Sequence, residues 1–289
     1  MPTNTLVTET RKTPAKEFVV RVHRTLVVVL TLTLSLAVPA AAVAAKRLII
    51  GGSTSVLPLQ QKLAAAYHHQ FPKLPEPKVE GGQSDIGVEG AASGRFDIGD
   101  SSRDPLSTDP HGLVFTKIAR DGICVITNDK NPVQNFSQET IQKIFSGSVR
   151  DWSEVSGATA SGPIELFDRS TASGTQDAFQ NIFMGLDLRI SPAASAENSN
   201  SEEQNAVSAS TNAIGFVSFA YTTGVHAAAY QGVECNLRNA RSGQYGGVRN
   251  FWMVTKGEPK GEARKYIAWV TSGNKTTKNI INSSWIAVH

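Results

Sequence analysis

Cysteine is scarce in this chain: 289 residues hold only Cys124 and Cys235. Two cysteines build neither a disulfide scaffold nor a zinc ribbon nor an iron–sulfur site. Aromatic residues make up 7% and charged residues 18%. The formal charge of +3 is carried entirely by residues 1–44, where Arg11, Lys12, Lys16, Arg21 and Arg24 stand against Glu9 and Glu17. From residue 45 onward the chain is neutral. A neutral body poor in aromatics has no footprint for nucleic acid or for an anionic membrane surface. Internal repeats and low-complexity segments are lacking as well. With 40% hydrophobic residues a buried core is available, which excludes disorder as the main character.

The basic leader is followed by an apolar run, Leu26 to Val38, and then by Ala42-Val43-Ala44. A run of this length falls short of the roughly 20 residues of a transmembrane helix. Small residues at alternate positions suit signal peptidase. The expectation is a signal peptide over 1–44, cleaved near Ala44, and a soluble, periplasmic mature chain. In that oxidising compartment Cys124, inside Ile-Cys-Val-Ile, reads as an inert thiol on a buried strand. A bridge to Cys235 stays open, because the sequence does not fix the distance between the two Cα atoms.

Short apolar runs alternate with helical patterns, which points to an α/β protein. Strands are expected at Leu48–Ile50, Lys78–Glu80, Phe96–Gly99, Ile123–Thr127, Ile164–Phe167, Ala213–Ser218 and Phe251–Thr255. Helices are expected over Val56–Phe71, from Ser84 to a stop at Gly94, over Gln138–Phe145 behind Ser137 as N-cap, from Ser173 through Leu186, and over Glu262–Ser272.

Three times a strand runs through a Gly/Ser/Thr loop into a helix: at Gly51–Ser55, at Gly81–Ser84 and at Arg169–Thr175. Each loop leaves free backbone N–H groups at a helix start, where the macrodipole adds about half a positive charge. Such a terminus holds an anion without a cationic side chain. Thr54, Ser55, Ser84, Ser173 and Thr175 add hydroxyl donors. Arg169 is the fixed positive charge of these loops, and its planar fork suits a tetrahedral oxyanion. Taken singly, each loop is an ordinary N-cap; three together favour an anion site. The motifs contain no Ser–His–Asp set, no metal-ligand spacing and no positioned general base, so no enzyme and no cofactor are expected.

The order and spacing of several segments resemble one family across residues 48–285. They are Gly52-Ser-Thr-Ser-Val-Leu-Pro-Leu59, Asp97-Ile-Gly-Asp-Ser-Ser-Arg103, Asp121-Gly-Ile-Cys-Val-Ile126 and Ile144-Phe-Ser-Gly-Ser-Val-Arg-Asp-Trp-Ser-Glu-Val155. Arg169-Ser-Thr-Ala-Ser-Gly-Thr175, Ala213-Ile-Gly-Phe-Val-Ser218 and Val254-Thr-Lys-Gly-Glu-Pro259 complete the set. The sequence resembles the phosphate-binding proteins of bacterial ABC transporters, within the type 2 periplasmic binding proteins. The resemblance implies a two-lobed α/β fold with two hinge crossings and a ligand cleft between the lobes. Lobe 1 would take 46–124 and 251–289 and lobe 2 125–250, within one PBP-like domain over 45–289. Ile123–Val125 and Phe251–Val254 would be the hinge strands.

The ligand would be inorganic phosphate, the partner a membrane permease of an ABC transporter, and the chain a monomer. Carried over by position, the oxyanion contacts fall on Thr54, Ser55, Ser84, Ser102, Arg169, Ser173, Gly174 and Thr175. Two departures stand out. Gln83-Ser84-Asp85 replaces the family's frequent Gly-Ser-Gly. Ser102 stands where well-known members carry an Asp that accepts the phosphate proton, so Asp100 or Asp85 becomes the expected acceptor. Sulfate, molybdate or phosphonate are the rival ligands. Sensing or adhesion without a transporter is the rival role, and a phosphate-ester hydrolase is a further class, for which neither metal cluster nor activated nucleophile is visible.

Overall fold

Alternating strands and helices lay down a sheet of nine strands in the computed structural model, which describes residues 46–288. In chain order the elements begin with β1 (Ile49–Ser53), α1 (Leu57–Gln70), β2 (Lys78–Gly82), α2 (Ser84–Ser93) and β3 (Ile98–Ser101). Then come β4 (Leu113–Thr127), β5 (Asn135–Phe136), α3 (Gln138–Phe145), β6 (Glu165–Arg169), α4 (Gly174–Phe179) and β7 (Ser195–Glu197). The remainder are α5 (Asn200–Ala209), β8 (Ala213–Ser218), β9 (His226–Ala227), β10 (Ala229–Tyr230), α6 (Leu237–Arg241), β11 (Val248–Lys256), α7 (Gly261–Thr271) and α8 (Lys275–Ser284).

Local chemistry explains the helix ends that matter. Pro58 sits in the first turn of α1, where its missing N–H costs nothing. Ser137 Oγ accepts from Thr140 N at 3.1 Å and starts α3 where the sequence places it. Gly94 ends α2 in the left-handed region, φ 80°. The helix from Ser173 stops being α-helical at Phe179 and continues as a π turn over Gln180–Met184, short of the expected Leu186.

The sheet order is β2-β1-β3-β11-β4-β8-β6-β7, with β9 also on β4. β2, β1 and β3 are parallel, β11 is antiparallel to both β3 and β4, and β8, β6 and β7 are parallel to one another. β4 is the common strand. Through Gly122 it pairs with β11, and from Ile123 it pairs with β8. The return passage lies at Gly246–Val248, where Gly247 O accepts from Ile123 N at 2.8 Å. Phe251–Val254, expected at that passage, instead lies between β3 and β4, where Trp252–Val254 pair with β3 and all four residues with β4. The apolar cores divide in the same way. Leu59, Leu63, Tyr67, Phe251, Tyr266 and Trp285 form one, and Ile123, Val125, Phe145, Trp152, Phe179 and Phe216 form another. Because side chains alternate across a strand, Cys124 and Ile126 face away from Ile123 and Val125 into a third cluster with Val207 and Val217.

Cys124 is buried as expected, yet it is not a free thiol: it is bonded to Cys235, with the two Cα atoms 5.6 Å apart. The loop between β10 and α6 brings Cys235 back over β4, a proximity with no local signature. The leader assigned to residues 1–44 lies outside the described residues. Among the described residues no helix is long and apolar enough to cross a membrane.

Candidate functional site

The three Gly/Ser/Thr loops converge where β1, β3 and β6 end. Gly52 makes the first approach possible. Its φ is 139°, and a Cβ there would fall on the carbonyl oxygen of Asp100, so only glycine lets β1 and β3 lie this close. Beyond it Ser53 Oγ donates to Ser102 Oγ at 2.8 Å and accepts from Ser55 N at 3.2 Å. Ser84, the first residue of α2, accepts from Ser102 N at 2.9 Å, with the two hydroxyls 3.3 Å apart. Ser173 caps α4, accepting from Thr175 N at 3.2 Å and Gln176 N at 3.4 Å.

Contacts join loops attached to the two cores. Ser55 Oγ lies 3.0 Å from Thr175 Oγ1. Asp85 N donates to Ala172 O at 3.2 Å, and Gln83 Nε2 donates to Ser170 Oγ. Gly174 packs so closely that a Cβ would land on Ser84 Oγ and lie 2.8 Å from both Ser102 Oγ and Arg103 N. Ser55, Ser84, Ser102, Ser173, Gly174 and Thr175 are therefore brought together. Thr54 stands at the edge, its hydroxyl accepting from Asn200 Nδ2 at 3.1 Å and its carbonyl from the Tyr221 hydroxyl at 2.8 Å.

The positive charge at the centre is Arg249, which loop reasoning misses. It rises from β11, buried. Nη1 donates to Thr175 Oγ1 at 2.8 Å and to Ser102 Oγ at 3.3 Å, and Nη2 donates to Ser55 Oγ at 2.8 Å. Asp121, on the adjacent β4, accepts from Nη2 at 2.9 Å and Nε at 3.2 Å. Burial pushes the Asp121 carboxyl up, and Arg249 opposes that rise. Burial likewise draws the Arg249 guanidinium down, with Asp121 holding it up. Asn200, at the start of α5, is the second residue the loops do not reveal. Its Nδ2 donates to Ser55 Oγ at 2.8 Å, and its Oδ1 accepts from Ser218 N at 3.0 Å.

Arg169 is also buried, and its bonds run elsewhere. Its Nε donates to Glu197 O and its Nη2 to Asn198 O, both at 3.1 Å. Glu203 Oε2 lies 3.5 Å from that Nε. None of these bonds reaches Ser55, Ser84, Ser102 or Thr175.

Both carboxylates expected to accept a ligand proton are engaged elsewhere. Asp100 Oδ1 accepts from Gln60 Nε2 at 2.7 Å, and Gln60 Oε1 in turn accepts from the Tyr266 hydroxyl at 3.0 Å. The pleat turns Asp100 toward α1 and α7, where burial pushes its carboxyl well up. Asp85 pairs with Arg103 Nε at 2.7 Å. The buried carboxylate joined to this hydroxyl cluster through Arg249 is Asp121, toward which the Ser218 hydroxyl and the Gly122 N–H also turn.

Such an arrangement can desolvate and hold a tetrahedral oxyanion. Hydroxyls at three helix starts and one guanidinium gather within hydrogen-bond distance of one another, and the counter-carboxylate keeps the buried arginine from standing alone.

The chain is similar to several known proteins. A solved structure titled as a putative phosphate ABC transporter substrate-binding protein with bound phosphate, from Clostridium perfringens, shares 30% identity. It covers 84% of this chain and 100% of its own, with a TM-score of 0.78. An ABC-type phosphate transport receptor from Vibrio cholerae shares 27% over 83% of this chain and 99% of its own, with a TM-score of 0.66. The phosphate-binding protein PstS of Bacillus subtilis (strain 168) is 26% identical over 246 residues, covering 83% of this chain and 80% of its own. The PBP superfamily domain matches residues 37–274, and the chain belongs to that family of two-lobed binding proteins.

Proposed function

We propose that this protein binds inorganic phosphate outside the inner membrane and delivers it to the membrane permease of an ABC transporter. The observation that carries this reading is the convergence of Ser55, Ser102 and Thr175 on Arg249, with Ser84 beside Ser102 and hydroxyls drawn from loops of both cores. A site built from two bodies is completed only when they close, which makes closure the mechanism of capture. The moving bodies are 46–124 with 249–289 and 125–245, turning about Ile123–Val125 and the return passage at Gly246–Val248. The leader over 1–44 directs export and is removed near Ala44, and the mature chain acts as a monomer. The names of the Clostridium, Vibrio and Bacillus relatives support phosphate as ligand.

Selectivity follows from the acceptors. Monohydrogen phosphate carries a proton that sulfate lacks, and it needs an oxygen to receive it. The serine and threonine hydroxyls accept as well as donate, and Asp121 adds a buried carboxylate bonded to Arg249. Sulfate would set a lone pair against such an oxygen, an unpaired buried contact. Titration calorimetry with phosphate, sulfate and molybdate tests the reading. Phosphate is expected to bind one to one and at least about a hundredfold more tightly than sulfate. Equal affinities would make the chain a general oxyanion binder, and absence of phosphate binding would refute the proposal.

A further inference from the structure

The second buried arginine has a carboxylate behind it that phosphate capture, as described, does not use. Glu203 is fully buried on α5, one turn after Asn200, so both side chains leave the same face of the helix. They fasten that face to β8 by parallel rungs. Asn200 Oδ1 takes Ser218 N at 3.0 Å, and Glu203 Oε1 takes Phe216 N at 2.7 Å. Asn200 then reaches forward to Thr54 and Ser55, while Glu203 faces Arg169. Glu203 Oε2 lies 3.5 Å from Arg169 Nε and makes no hydrogen bond. Arg169 Nη1 is also buried and without a partner. A guanidinium tied by two neutral carbonyls, with both N–H bonds of Nη1 unspent, can answer to either of two anions: the Glu203 carboxylate or an oxyanion entering the site.

We infer that Glu203 is a positioning residue for Arg169, and that its carboxylate competes with bound phosphate for that guanidinium, so that phosphate binds to the form in which Glu203 is protonated. This rests on the phosphate reading above. With Glu203 neutral, the Arg169 charge is left for the ligand; with Glu203 ionised, the pair closes on itself.

The surroundings support the neutral form. Burial pushes the Glu203 carboxyl up to about 8, Asp168 on β6 and Glu197 on β7 push the same way, and Arg169 opposes them. β8 faces Glu203 with Gly215 and Phe216, which carry no charge. Arg169 in turn feels Arg249 on β11, Glu202 on α5 and Tyr221 after β8, with its own burial the largest influence. Arg249 raises the electrostatic cost of a second unpaired cation nearby, and an entering dianion relieves it. The sign follows directly. Above about pH 8 the free protein has lost the Glu203 proton. Binding must then restore it, and affinity falls by up to about tenfold per pH unit.

The test is calorimetric titration of inorganic phosphate into wild type and Glu203→Gln from about pH 7.5 to about pH 9.5, in two buffers of different ionisation enthalpy. Over that window phosphate is chiefly the dianion, so its own titration adds little. Wild type is expected to lose about tenfold or more in affinity, with proton uptake approaching one per ligand above about pH 8. Glu203→Gln retains an acceptor for Phe216 N and is expected to bind with a flat profile and no uptake. The same slope and uptake in both proteins would overturn the proposal and leave Glu203 a structural residue. Should the variant fail to fold, absence of proton uptake by wild type at about pH 9 would overturn it alone. Wild type that binds no phosphate at about pH 7.5 would refute the phosphate reading itself, and this coupling with it.

Discussion

Two buried arginines, Arg249 and Arg169, face two buried carboxylates, and the pairs are built differently. Arg249 and Asp121 are hydrogen-bonded at 2.9 and 3.2 Å, and the remaining N–H groups of the guanidinium reach three hydroxyls. Arg169 and Glu203 stand 3.5 Å apart without a hydrogen bond, each with an unspent buried atom. The first pair is a fixed charge, held in place whether or not a ligand is present. The second is poised between partners. A binding site needs the first kind for strength, and the second kind makes strength respond to conditions.

Breaking the fixed pair should have the largest effect. Arg249→Ala leaves Asp121 buried and alone, a loss expected to cost about 3–5 kcal/mol of stability in urea denaturation. The double variant Arg249→Met with Asp121→Leu removes both charges and should regain much of that stability without regaining phosphate binding. If the double variant were as unstable as the single one, shape rather than charge would govern the site.

The Cys124–Cys235 bridge lies outside both pairs and serves as a control. It closes a sequence separation of 111 residues, and its removal is expected to cost about 2–5 kcal/mol. Phosphate affinity of the folded Cys124→Ser, Cys235→Ser protein should be unchanged. A large loss of affinity there would mean that the second core does not hold its loops by packing alone.

Gly174→Ala tests closure. The added methyl would meet Ser84 and Ser102, so the variant should fold normally and bind phosphate at least about tenfold more weakly, a difference near 1.4 kcal/mol. Wild-type affinity in that variant would show that the α4 start and the Ser84 loop need not meet.

The loose pair is tested by the pH dependence of stability. A carboxyl whose value rises on folding gives the folded state more protons than the unfolded one, so stability falls with pH between the two values. Relative to Glu203→Gln, wild type should therefore lose stability as pH rises from about 5 toward 8, with the difference levelling off above that. Parallel curves for the two proteins would show that Glu203 does not titrate in this range.

The loops were legible in the sequence because their signal is local. A strand, a Gly/Ser/Thr stretch and a helix lie within a few residues, and Ser55, Ser84, Ser173, Gly174 and Thr175 meet as that pattern suggests. Arg249 and Asn200 belong to no such loop. Arg249 interrupts the apolar strand Val248 to Thr255, and a lone charge there was the available clue. Asn200 opens the polar run Asn-Ser-Glu-Glu-Gln-Asn, whose helix shows little apolar periodicity. The first half of β4 was hidden by Lys117, Arg120 and Asp121, which break the apolar run although Asp121 is buried by its pairing with Arg249. The cysteine bridge and the diversion of Asp100 to Gln60 depend on which elements pack together, and a local pattern carries no record of that.

The order of the two arginines is best tested by phosphate titration of Arg249→Gln and Arg169→Gln side by side at about pH 7. Arg249 makes several buried contacts with the hydroxyl cluster, and charge-assisted hydrogen bonds contribute about 1.5–3 kcal/mol each. Arg249→Gln is therefore expected to lose at least about a hundredfold in affinity, and Arg169→Gln about tenfold. A larger loss for Arg169→Gln, with Arg249→Gln close to wild type and both proteins folded, would contradict the placement of Arg249 at the centre of the site.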